Sequence, residues 1–143
     1  MEDLDQVVNQ ALDAMQKISQ NTWEHKPIPH KWSKKEILGH LVDSARNNLQ
    51  RFVEIQYMSS PYRVIPYDQD QQVVANAYQQ QSVDLISTMW ESLNRHIGYL
   101  IRCQTRESLE LAVELSDGTQ TNMQWLMEDY IDHLKHHLRQ ILG

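Results

Sequence analysis

The sequence predicts an all-α protein, a four-helix bundle with one or two crossover connections, and three observations lead there. Four stretches repeat apolar residues at intervals of mostly three and four, the pattern of helices that each turn one face to a core. Two proline-bearing segments, around Pro27 and Pro29 and around Pro61 and Pro66, interrupt that pattern where helices must stop. The chain has 143 residues, 41% hydrophobic and 22% charged, which suits one domain over 1–143 with a sizeable core and argues against disorder.

The first helix spans Glu2 to about Gln20, with Leu4, Val7, Val8, Ala11, Leu12, Met15 and Ile18 on its apolar face. Asn21 to Lys31 is an ordered loop. The second helix opens at Ser33, whose pairing with Glu36 three residues on is a capping box, with Trp32 as a hydrophobic lid over the first turn. It runs to about Met58. Ser59 to Asp68 is a crossover loop containing Tyr62 and Tyr67. A third helix follows from about Gln69 to near Arg102, and the polar patch Gln79 to Ser82 is where it kinks or splits. Its apolar set includes Val73, Val74, Ala77, Leu85, Ile86, Met89, Leu93 and Ile97. Thr105 to Gln120 alternates briefly around Leu111 and Val113, and Asp117-Gly118 is a turn signal, so it forms a short hairpin or an extended linker. The last helix, Thr121 to Leu142, is free of Gly and Pro, and Thr121 with Gln124 reads as its capping box.

Composition removes several functions. A net charge of −6 does not suit a phosphate backbone, so no nucleic-acid partner is expected. No apolar run reaches the roughly 18 residues of a membrane span, and the acidic start Met1-Glu-Asp lacks signal-peptide character. Cys103 is the only cysteine, which rules out an internal disulfide and fits a cytoplasmic protein. It reads as a small buried hydrophobe near a helix end, with no adjacent histidine to serve as its base.

The seven histidines carry the chemistry that remains. On the last helix, with His133 at zero, the residues Met123, Met127, Tyr130, Ile131, Leu134, Leu138 and Ile141 fall in an arc from about 60° to 160°. His133 and His137 lie at about 0° and 40°, at the edge of that core face and one turn apart, with Asp129 and Gln140 flanking them. Two imidazoles so stacked can share one metal ion. His40 holds the same edge position on the second helix, beside a stripe of Leu38, Leu41, Val42, Ala45, Leu49 and Phe52. His136 projects about 100° away from His137, outside the pair. His25 and His30 read as solvated loop residues and His96 has no helical partner.

The segments Trp32-Ser33-x-x-Glu36-x-Leu38-x-His40-Leu41-x-Asp43-Ser44 and His133-x-x-His136-His137-x-x-Gln140-Ile141 resemble the second- and fourth-helix signatures of the DinB/YfiT-like four-helix-bundle superfamily. Arg51-Phe52 and Pro66-Tyr67-Asp68 are similar to its YfiT-like branch, described as metal-dependent hydrolases. The likeness is collinear from about Pro29 to Ile141. It implies a Zn2+- or Ni2+-type ion held by His40, His133 and His137, and a cytoplasmic homodimer. Gly39 departs from the pattern, since the YfiT-like branch often has another histidine there. Some relatives transfer low-molecular-weight thiols such as bacillithiol, so the resemblance implies a hydrolase or a thiol S-transferase acting on a small-molecule substrate. Three neutral imidazoles leave a fourth position open on zinc, as in catalytic sites. A non-catalytic binding module stabilised by metal is the reading from a different class. Asn48, Arg51 and Tyr67 are the candidate substrate pocket. Asp43 and Asp129 are candidates to orient the histidines from behind, with plain surface carboxylates as the alternative.

Overall fold

Short polar side chains ahead of each apolar stripe fix where the helices begin. In the computed structural model, which describes residues 1–143, Asp3 accepts from the Asp5 amide and opens α1 (Leu4–Met15). Ser19 caps a short α2 (Gln20–Glu24), so a helical turn stands where the sequence read only loop, and α1 ends earlier than its apolar pattern. Ser33 Oγ accepts from Glu36 N at 3.1 Å while the Glu36 carboxylate accepts from Ser33 N at 3.1 Å. This is the expected reciprocal box, and it opens α3 (Lys34–Ile55).

The third long segment is divided. Asp68 caps α4 (Gln69–Ala75), a 3-10 turn follows at Tyr78–Gln80, and Ser82 caps α5 (Val83–Arg102). Between them Ala77 takes a left-handed conformation, φ 54°. Long-range contacts hold this break in place. Lys35 Nζ donates to Gln79 O and Gln81 O at 3.2 and 2.7 Å, and Tyr78 Oη donates to the buried Asp43 carboxylate at 2.6 Å. Tyr78 lies flat over Gly39. A Cβ built at Gly39 would land on Cγ, Cδ2 and Cε2 of the Tyr78 ring, the last at 2.8 Å, so only glycine leaves room for it.

After α6 (Arg106–Leu109) the ambiguous segment resolves as a hairpin. It pairs β2 (Ala112–Glu114) antiparallel with β3 (Gln120–Asn122), with Gly118 supplying a positive φ of 88° in the turn. The crossover loop adds β1 (Tyr62–Arg63) parallel to β2, giving a sheet ordered β1-β2-β3. α7 (Met123–Leu142) then closes the bundle. Its cap is Asn122, which accepts from Trp125 N at 2.9 Å, and not the expected Thr121 box, because Thr121 is held in β3 opposite Val113.

α1, α3, α5 and α7 form the four-helix bundle: α3 packs on α5 and α7, and α1 packs on both of the latter. The predicted stripes of α3 and α7 are the buried ones, from Leu38, Leu41 and Phe52 to Leu134 and Ile141. Each large apolar side chain fully buried there contributes about 1.5–3 kcal/mol of transfer free energy. On α5 the predicted face is the packed one through Ile86, Met89, Leu93 and Ile97, with individual exceptions. Trp90 is fully buried, whereas Leu85 and, on α4, Val74 are 51% and 75% exposed. Cys103 is also a correction. It is the exposed C-cap of α5 and not a buried hydrophobe, because the helix stops there with its backbone N–H turned back to Leu100 and Tyr99. No helix is long and apolar enough to cross a membrane.

Candidate metal centre

His40 sits seven positions into α3 from its Ser33 cap, on a turn flanked by the buried Leu38, Gly39 and Leu41. α7 packs across this turn and brings up His133 and His137, one turn apart on its edge. The three rings converge. His40 to His133 and His40 to His137 measure 5.3 and 4.7 Å between centroids, all three pairs are edge-on, and one nitrogen from each lies within 4.8 Å of the others. Trp32 stacks on the other side of His40 at 5.0 Å, so the residue read as a lid over the first turn covers the imidazole.

His40 is wholly buried, and neither of its ring nitrogens has a hydrogen-bond partner. An imidazole so placed leaves at least one polar atom unsatisfied, at roughly 1–3 kcal/mol, unless something fills the gap between the rings. Burial pushes its pKa down to about 3, with His137 and His133 adding to the effect. Burial likewise lowers His133 to about 4, helped by His137 and His136, and lowers His137 against the opposing hydrogen bond from Gln140. All three are therefore neutral near pH 7, with lone pairs free to donate. Gln140 Oε1 accepts from His137 Nδ1 at 2.8 Å, which puts the proton on Nδ1 and leaves Nε2 bare toward His133. His133 Nε2 and His137 Nε2 are 3.1 Å apart, close to the separation of about 3.3 Å that two nitrogens have on one tetrahedral zinc. Three neutral imidazoles, one of them an orphaned buried donor set, fit a divalent transition metal.

The other histidines stand apart. His136 is exposed and contacts His137 and Gln140; His25 is exposed and lines a surface cleft with Trp32 and Gln140 beside the cluster without joining it, and His30 and His96 are exposed and outside the cluster. Asp43 does not orient His40. Its Oδ1 is taken by Tyr78 and Asn76 at 2.6 and 3.0 Å and by Arg46 at 3.3 Å, while burial raises its pKa. Asp129 makes no hydrogen bond to any of the three rings; it sits on the lip of the neighbouring cavity, its pKa raised by burial and then by Asp132. Asn48, Arg51 and Tyr67 do line that cavity, of about 240 Å³, which opens beside His133. Sequence reasoning missed Gln140 as the partner of His137, although its position three residues on along the same helix was the available signal. It also missed Tyr78, which no local pattern marks.

A four-helix bundle that gathers three neutral imidazoles from two helices at the edge of its core, beside a small cavity, defines a class: helical-bundle proteins with a histidine cluster poised for an ion. Within that class the chain belongs to the DinB superfamily, whose family model matches residues 3–141. The structure is similar to YfiT from Bacillus subtilis, described as a probable metal-dependent hydrolase with an unusual four-helix bundle topology. The TM-score is 0.84 at 18% identity, covering 96% of this chain and 79% of that one. It is also similar to a mycothiol-dependent maleylpyruvate isomerase, with TM-score 0.72 and 11% identity, and to a histidine-to-alanine variant of such an isomerase, with TM-score 0.74 and 8% identity. In both cases the match covers 96% of this chain and 57% of the other, so the chain spans a little over half of the isomerase. No curated protein sequence matches the chain.

Proposed function

We propose that the protein is a metal-dependent enzyme, a hydrolase of a small-molecule substrate, with its ion held by His40, His133 and His137. One observation carries the reading: a fully buried imidazole, His40, has both nitrogens without a partner and faces two further imidazoles within 4.8 Å. A structural role alone gives no reason to leave such a group unpaired. The protein's own contribution is positional. Trp32 packs on His40 and excludes water from its outer face, and Gln140 fixes the tautomer of His137. When bound, a Zn2+- or Ni2+-type ion supplies Lewis acidity and an acidified water, or an open position for a thiolate. The likeness to a thiol-dependent isomerase favours one second reading, a low-molecular-weight thiol S-transferase of bacillithiol type. A cytoplasmic homodimer is the assembly we expect.

The test is metal analysis of the purified protein, followed by ester, amide and thiol-plus-electrophile turnover with chelation and metal return. About one ion per chain is expected, with severe loss of affinity in His40→Ala, His133→Ala and His137→Ala, but not in His25→Ala. Full occupancy in a His133→Ala, His137→Ala double variant would sink the assignment. An ion that keeps no exchangeable position, with no turnover, would favour a metal-stabilised binding module instead.

A further inference from the structure

The cavity beside His133 contains a cation that makes no ion pair. Arg51 is half-buried on α3, and none of the protein's ion pairs includes it. Its Nη2 donates to Ile65 O at 2.7 Å, its Nη1 reaches Asn48 Oδ1 at 3.4 Å, and the plane lies against the Tyr67 ring, 5.6 Å from its centroid. Those contacts hold the guanidinium still but engage only two of its five N–H groups. They bring no negative charge. Partial burial strips the cation of solvent, which is why its pKa falls below the usual arginine value. The lining also includes the apolar Val64, Pro66 and Leu126, together with His133.

We propose that Arg51 anchors a carboxylate of the substrate, so that the molecule handled at the histidine cluster is a small organic acid whose carboxylate docks on Arg51 while its reacting group faces His133. The inference rests on the reading of the three histidines as the reacting centre. A planar guanidinium braced by an aromatic ring suits a planar carboxylate, which it grips with two parallel N–H donors. A phosphate dianion suits the pocket less, because Arg51 brings a single positive charge and the Asp129 carboxylate shares the cavity without pairing with it. The volume of about 240 Å³ lies below the range of roughly 300–1,000 Å³ usual for drug-sized ligands, which restricts the acid to a short chain.

The test is titration of the whole chain, metal-loaded and after chelation, with butyrate, butyramide and inorganic phosphate, followed by calorimetry and amide NMR shifts. Butyrate should bind both forms and shift the resonances of the Arg51 and Tyr67 region. Butyramide, of the same shape without the charge, should bind roughly tenfold or more weakly, and Arg51→Gln should weaken butyrate by a similar factor. Arg51→Lys should restore only part, since an ammonium lacks the planar fork. Equal binding of butyrate and butyramide overturns the proposal with no variant needed, which covers the case in which Arg51→Gln loses its hold on Ile65 and misfolds. Butyrate binding that requires metal and ignores Arg51→Gln overturns it too, since the carboxylate is then ligating the ion. Phosphate binding tighter than butyrate overturns the carboxylate class. If the protein takes up no metal yet binds butyrate through Arg51, the histidine reading fails and the anion anchor stands.

Discussion

Replacing Gly39 by alanine should destabilise the protein, although the same change in an ordinary helix interior is favourable. Intrinsic helix propensity alone gives Gly→Ala about 1 kcal/mol of added stability. At this position the new methyl falls on the Tyr78 ring, against Cγ and Cδ2, so turning the ring about Cβ–Cγ gives no relief and the whole ring must swing out. Overpacking of this kind costs about 1–3 kcal/mol. If Tyr78 is pushed out it also surrenders its 2.6 Å hydrogen bond to Asp43, worth about 1.5–3 kcal/mol for a charged acceptor. With the propensity gain subtracted, the net loss is about 1.5–5 kcal/mol. For a domain of this size that lowers Tm by roughly 5–20 °C. The control is the same substitution in a Tyr78→Ala background, where the methyl has open space and the intrinsic preference returns, so Gly39→Ala should stabilise by about 0.5–1 kcal/mol. Urea unfolding of the four proteins completes the cycle. A Gly39→Ala variant more stable than wild type, or an effect of the same sign in both backgrounds, would refute the account of why glycine stands at this position.

Three further outcomes follow from the histidine cluster. In metal-free protein, His40→Leu should be at least as stable as wild type, and up to about 2 kcal/mol more so, because it removes a buried ring with unpaired nitrogens; the same variant should lose metal affinity, read by chemical denaturation and metal titration. The folded pKa values of about 3 for His40 and about 4 for His133 lie below the unfolded value of about 6.5, so between those limits the unfolded chain binds more protons. Stability is therefore full above about pH 6.5 and declines as pH falls toward 3. His40 accounts for about 2 kcal/mol of the loss at pH 5, and His40→Leu should flatten the slope of unfolding free energy against pH. Chelation should leave helical circular dichroism intact, because 25 buried apolar residues form a core that includes none of the three histidines; loss of helicity with loss of metal would make the ion structural.

The helices and the edge positions of His40, His133 and His137 were legible in the sequence because both depend on local period, whereas their meeting at one point was implied by the family resemblance. Apolar spacing fixes a core arc and so marks which residues stand at its rim. The Ser33 box was legible for the same reason. What was not legible depends on contacts distant in sequence. The polar patch Gln79 to Ser82 marked the split of the third helix, but Ala77 is a good helix former and does not itself announce a left-handed turn; that turn seats Tyr78 over Gly39. Thr121 satisfies a capping pattern, but pairing with Val113 claims its backbone first. Asp43 sits beside His40 in the helical register, yet a tyrosine 35 positions later takes its carboxylate. Arg51 was a candidate pocket residue in the sequence, whereas its lack of an ion-pair partner required the fold.

Because His40 rides on α3 and its two companions on α7, an ion gripped among them staples together segments about 90 positions apart. Contacts that span so much chain form late when a small domain folds, after the loop between them has closed. Such an ion has little to accelerate on the way in and much to hold on the way out. Its presence should leave the refolding rate nearly unchanged while slowing the separation of α7 from the bundle, so that metal acts on this protein chiefly as a brake on unfolding.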